Sequence, residues 1–154
     1  MKRTPGPVDW GLLVLRLVLG VAFILHGAQK LLGLFGGPGI SGFAQGLRQM
    51  GLPAPELMAY LAAGAEFLGG LAVLLGVLTE FGAAAIAAVM IVAIWKVHGK
   101  HGFFLSQQGY EYNLMILGVC AALILAGPGL LALWDPFRYR RGARSGSGWA
   151  AAEG

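Results

Sequence analysis

The sequence predicts an all-α fold, an integral membrane bundle of four helices, and three observations carry that reading. Charged residues make up only 12% of the chain and hydrophobic ones 57%, whereas a soluble domain carries roughly 25% charge. The apolar residues are gathered into four blocks, each close to the ~20 residues that a helix needs to cross hydrocarbon. None of the blocks alternates with period two and all are longer than a strand, which excludes a closed barrel, the other architecture able to span a bilayer.

The first block runs from about Trp10 to Phe35, interrupted by Arg16, His26, Gln29 and Lys30. Lys2 and Arg3 give it a basic start, but the run is too long for a signal-peptide core and no Ala-x-Ala-like site closes it, so it is expected to stay and pack. Gly36-Gly37-Pro38-Gly39 then breaks the helix. Ile40, Phe43, Leu47 and Met50 recur at helical spacing, with Gly51 as a C-terminal cap and Pro53 to prevent continuation. This short amphipathic helix either lies in the membrane interface or packs over the mouth of the bundle.

The second block, about Leu57 to Leu78, carries a single charge, Glu66. Thr79-Glu80 reads as a tight turn that makes the second and third spans antiparallel neighbours. The third block, about Phe81 to Val97, has Lys96 and His98 at its far end, and the fourth runs from about Tyr112 to Trp134 before Asp135-Pro136. Small residues (Gly64, Gly69, Gly70 and Gly76 in the second span, Ala83, Ala84, Ala85, Ala87 and Ala88 in the third) allow the close helix approach on which membrane packing depends. The chain divides into a segment 1–9, a transmembrane domain 10–135, and a basic, Gly/Ser/Ala-rich tail 136–154 expected to be disordered.

Four spans put both termini on one side of the membrane. That side carries Lys2, Arg3, Arg138, Arg140, Arg141 and Arg144; the other carries Arg48 and Lys100, with Lys30 and Lys96 near helix ends. Positive charge favours the cytoplasm, so both termini are expected inside. Trp10, Trp95, Tyr110, Tyr112, Trp134 and Phe137 sit at span boundaries, as amphipathic rings do at the interface. The net charge of +4 therefore points to topology and anionic lipid, not to nucleic acid.

The chemistry rests on the few ionisable groups within the spans, each of which costs about 2.5–3.5 kcal/mol at a helix centre. Arg16, His26 and Lys30 fall on one face of the first helix. Antiparallel packing puts His26, Lys30, His98 and Glu111 at similar depth, Glu66 below them, and Arg16 lower still. Glu66 is too deep and too short to reach water alone, so it must be paired, protonated or lining a cavity, with Gly69-Gly70 leaving room beside it. Arg16, Glu66 and Glu111 are the candidates for an intramembrane ion pair; Lys96 can snorkel to the interface. Two histidines without a spacing motif are weak evidence for metal or haem, and no metal site is expected. Cys120 is the only cysteine, so dithiol and disulfide chemistry are excluded. There is no phosphate-binding fingerprint and no nucleophilic triad.

Arg16-Leu17 followed by Phe23-Ile24-Leu25-His26-Gly27-Ala28-Gln29-Lys30-Leu31 resembles the opening span of the DoxX family. The likeness continues through Gly51-Leu52-Pro53, Glu66-Phe67-Leu68-Gly69-Gly70, Met90-Ile91-Val92-Ala93 with His98, Tyr110-Glu111-Tyr112-Asn113 and Gly127-Pro128-Gly129, covering about residues 11–135. One departure is Glu80, where family members often place a basic residue. The resemblance implies a multi-pass subunit of the bacterial plasma membrane linked to redox complexes, with soluble or membrane redox proteins as partners and some relatives that reduce quinone. On that footing His26, Lys30, Glu66 and His98 are the candidate quinone and proton site, because a quinone needs a donor to each carbonyl and a proton route. The alternative is a non-catalytic membrane anchor or assembly factor whose polar groups only hold helices together. A small transporter is disfavoured by the lack of repeats and of half-helix breaks.

Overall fold

A computed structural model describes residues 4–136. Lys2, Arg3, Phe137 and the arginines of the tail, on which the orientation argument leans, lie outside the described residues. The fold is all-α: α1 (Pro7–Leu32), α2 (Gly39–Gln49), α3 (Pro55–Leu75), α4 (Thr79–Ala93) and α5 (Glu111–Ala126), with one π turn (Ile94–His98) continuing α4. Three helices are long and apolar enough to cross a membrane, Pro7–Leu32, Pro55–Leu75 and Thr79–His101, and Glu111–Ala126 is a shorter apolar one.

Helix α1 packs along α3, α3 along α4 and α4 along α5, and the sequence explains how closely. A Cβ on Gly27 would stand 2.6 Å from the backbone of Phe67, and one on Gly70 would stand 2.7 Å from the backbone of Ile24. Gly69 and Gly82 play the same part between α3 and α4, each filling the space under the other's carbonyl. The glycines therefore bring backbones together, as small residues do where lipid gives no hydrophobic drive. This corrects one expectation: the space over Gly69 and Gly70 is filled by neighbouring helices, so these glycines are not what leaves room beside Glu66. Phe23, Val73, Ala83, Ile86, Met90, Cys120 and Leu123 form the core between these contacts. Val14, Val18 and Val21 of α1 are exposed on the perimeter, the surface that meets lipid.

Two boundaries differ from the sequence reading. The hairpin is made by Gly76, Val77 and Leu78, with Gly76 (φ +69°) and Leu78 (φ +51°) in the left-handed region, and Thr79 and Glu80 already belong to the first turn of α4. The fourth apolar block is helical only to Ala126. Sixteen residues rise about 24 Å, short of the ~30 Å of hydrocarbon, and Gly127 to Trp134 completes the block as irregular backbone folded across the end of the bundle. Irregular backbone at such depth survives only where protein satisfies its polar groups, and here α1 does so. Asp9 accepts from the Leu130 N–H at 2.9 Å, and Arg16 donates to the carbonyls of Pro128 and Leu131 at 2.9 and 3.1 Å.

Helix α2 lies across the opposite, distal end. Ala44 and Leu47 pack on Ala59 of α3, flanked by Ile40, Phe43 and Leu52, so its apolar face covers the bundle mouth.

Candidate functional site

Arg16 and Glu66 are both almost completely buried, 2% and 1% exposed, yet they do not meet. The C-terminus of α3 explains where the arginine goes. A helix ends with four carbonyls that lack an intrahelical partner, and here all four are met. Val77 and Gly76 N–H groups return to Ala72 and Val73 in a Schellman arrangement, and Leu133 N–H reaches Leu75. Arg16 supplies the fourth, Nη2 to Leu74 O, and adds Nε to Val73 O, both at 3.0 Å. The cation also sits at the negative end of the α3 dipole. Gly76 makes the seat possible, since a Cβ there would lie 2.5 Å from Arg16 Nη2.

Glu66 takes a different partner. Lys30, one helix away and further toward the distal end, donates Nζ to Glu66 Oε1 at 2.5 Å. The ammonium also lies over the Phe43 ring, 4.9 Å from its centroid, so α1, α2 and α3 meet at this one cation. Lys30 thus turns inward to the carboxylate instead of outward to the interface. The second carboxylate oxygen, Oε2, is buried without a hydrogen-bond partner among the described residues. Glu111, the remaining candidate for an ion pair, is half-buried and accepts from the Leu105 N–H at 2.9 Å, which ties the loop before α5.

Around the Lys30–Glu66 pair lies a cavity of about 620 Å³. His26, Lys30, Glu66 and His98 all line it, together with Lys96, Tyr112 and Asn113; Phe43 and Leu47 of α2 lie on its distal side, and the remaining wall is mainly alanine, valine, leucine and methionine. Part of the wall is formed by Leu61 of α3 and Val92 of α4. Both are exposed as well, at 57% and 44%, so the cavity reaches the lipid-facing perimeter between these helices.

The histidines are held differently. His26 is exposed on α1 with its ring 6.1 Å from that of Phe23, and it borders a second, lateral cavity lined also by Gln29 and Phe35. His98 ends the π turn, a wider winding found frequently at functional sites, and Lys96, Val97 and His98 all reach the cavity wall. Its Nδ1 lies 2.7 Å from the Gln108 carbonyl. Lys96 rests its ammonium 3.8 Å from the centroid of the Trp95 ring.

Sequence reasoning did not single out Asn113 as a site residue. It is 5% exposed, lines the cavity, and donates Nδ2 to Met90 Sδ at 3.3 Å. The signal was present: an amide one turn inside an otherwise apolar span needs a partner or a ligand. Among the described residues, no group of three or more His, Cys, Asp or Glu side chains is placed to hold a metal ion.

Comparison with known proteins gives this geometry a context. The DoxX family profile matches residues 11–99. The chain is 33% identical over 137 residues to the provisionally named oxidoreductase CatD of Bacillus subtilis, covering 89% of this chain and 92% of that protein. It is 30% identical over 125 residues to the inner membrane protein YqjF of Escherichia coli, covering 81% of this chain and 90% of that one. No solved structure gave a significant match.

Proposed function

The chain belongs to the DoxX family, and from that premise we propose that it is the membrane subunit of an oxidoreductase complex whose distal cavity holds a quinone headgroup. The observation that carries this reading is the composition of the cavity wall. It is apolar except for His26, the Lys30–Glu66 pair, Lys96, His98, Tyr112 and Asn113, all on one ~620 Å³ space, within the 300–1,000 Å³ typical of small-molecule sites. The wall shared by α3 and α4 meets lipid, so a ligand dissolved in the bilayer enters without crossing water. A bound quinone would supply two-electron, two-proton redox chemistry. The protein's own residues would orient the ring against the apolar wall, exclude water under α2, and hold or pass protons at Glu66 and His98. The name of the Bacillus relative supports a redox role, and that of the Escherichia relative a bacterial inner membrane.

The test is extraction. Protein purified gently with its lipid is expected to carry quinone, and Lys30→Met or Glu66→Gln, if folded, to lose most of it. A soluble oxidoreductase that copurifies while quinone is absent from the native protein would favour the anchor reading. The same proposal places both termini in the cytoplasm: a reporter active only outside should work when inserted within Gly36–Gly42 and be silent when fused after Gly154, and the reverse pattern would refute it.

A further inference from the structure

The headgroup reading leaves open how the rest of a bilayer-borne ligand is accommodated, and the way α3 and α4 part bears on that. Near their hairpin the two helices touch through backbone. A Cβ on Gly69 would stand 2.9 Å from the Gly82 carbonyl oxygen, and one on Gly82 would stand 2.8 Å from that of Gly69. One turn toward the distal end, Ala65 and Ala85 line the cavity, so the helices have separated there. Small side chains of the kind that serve close packing elsewhere in a membrane bundle here face the cavity instead.

The cavity runs out to the row of each helix that meets lipid. On α3 that row is Leu57, Leu61 and Leu68, at helical spacing and all exposed; of the three, Leu61 also lines the cavity. On α4 the row is Ala84, Ala88 and Ile91, again all exposed, and of these Ala88 lines the cavity. Counted from Trp95, and from Ala54 at the start of α3, Ala88 and Leu61 each lie about 10 Å inside the distal boundary. An opening at that depth faces hydrocarbon rather than lipid headgroups. The other sides of the cavity differ in chemistry. On α1 and α5 the exposed residues of the wall are His26 and Tyr112, whose tips are polar, whereas the α3–α4 opening is framed by Leu61, Ala62, Ala65, Ala88 and Val92.

We infer that the ligand is an amphiphile, a headgroup joined to a long hydrocarbon tail, and that the tail leaves between α3 and α4 across Ala88 into the lipid. The inference rests on the headgroup reading. Lipid chains are as apolar as the opening, so a tail gains little affinity by lying in it. The opening permits the tail without rewarding it, and closing it is therefore the informative change.

The experiment uses the full chain in lipid nanodiscs, equilibrated with a decyl-tailed benzoquinone or its methyl counterpart, with bound quinone counted against empty nanodiscs of the same lipid. Partition into the bilayer is common to every variant, so the ratio of variant to native affinity reads the site itself. Ala88→Phe is expected to weaken the decyl compound by about tenfold or more and to leave the methyl compound within about twofold, the scale of overpacking confined to the passage. Ala84→Phe, one turn away on the lipid-facing row, should change neither. If Ala88→Phe does not fold, Val92→Trp closes the same opening from the next turn. Equal loss of both compounds would place Ala88 at the headgroup, and loss of neither would mean that the tail leaves elsewhere; each overturns the inference and leaves the headgroup site standing. A decyl loss in Ala84→Phe as large as in Ala88→Phe would overturn it as well, as an effect of bulk on the lipid face. Failure of the native protein to bind either compound would remove the headgroup reading, and this inference with it.

Discussion

The two ends of this bundle bury charge in opposite ways. At the terminal end, Asp9 and Arg16 are both buried, and backbone groups meet both carboxylate oxygens and all three guanidinium nitrogens. Asp9 takes the Gly6 and Leu130 N–H groups, and Arg16 reaches four carbonyls from two segments far apart in the chain. Glycine is packed tightly against the guanidinium. At the distal end, a carboxylate of similar burial has, among the described residues, one partner and one orphaned oxygen, with a cavity beside it. Burial of an ionisable group is therefore a poor guide to role. What separates them is whether its hydrogen bonds close within the protein, since a closed set holds structure and an open one can hold a ligand.

The sharpest way to break this comparison is at Arg16. Arg16→Gln removes the cation and strands carbonyls of α3 and of the Gly127–Trp134 segment, with an expected loss of about 3–5 kcal/mol, read as a fall in thermal stability and membrane abundance. Because Arg16 and Glu66 share no contact, adding Glu66→Gln should not rescue it, and the two effects should sum to within about 0.5 kcal/mol. Strong rescue by the double variant would mean that the two charges are one network after all.

A smaller effect is expected next door. Gly76→Ala meets Arg16 Nη2 and Ala132 and forces a Cβ onto a left-handed backbone, at a cost of about 1–3 kcal/mol. Thermal unfolding should detect it, while ligand binding at the distal end stays unchanged; a loss of binding with native stability would show that the ends are not separable. The smallest effect belongs to Cys120, fully buried in the apolar core. Cys120→Ala should cost about 1 kcal/mol or less and leave any redox phenotype intact. A variant present at normal membrane levels but inactive would assign the thiol a role that packing does not explain.

Much of this was legible in the sequence. Block length and the shortage of charge specify membrane helices, because hydrocarbon admits few alternatives, and Ile40, Phe43 and Leu47 mark α2 because one apolar face has to be covered. His26, Lys30 and Glu66 stand out for the same reason, as costly groups in an apolar run. Sequence by itself thus determined the fold class and which residues needed partners. Only the tertiary structure decided who the partners are. Glu66 lies within reach of Lys30, while Arg16 goes to the end of α3 and the chain beyond α5. The π turn before Gly99 leaves no compositional mark, whereas the break at Gly127 carries one in Gly127-Pro128-Gly129, a breaker like Gly36-Gly37-Pro38-Gly39. Pairing across helices depends on crossing points and depth to within a few ångströms, set by where glycines let backbones touch, and a pattern read along one chain carries no such distance.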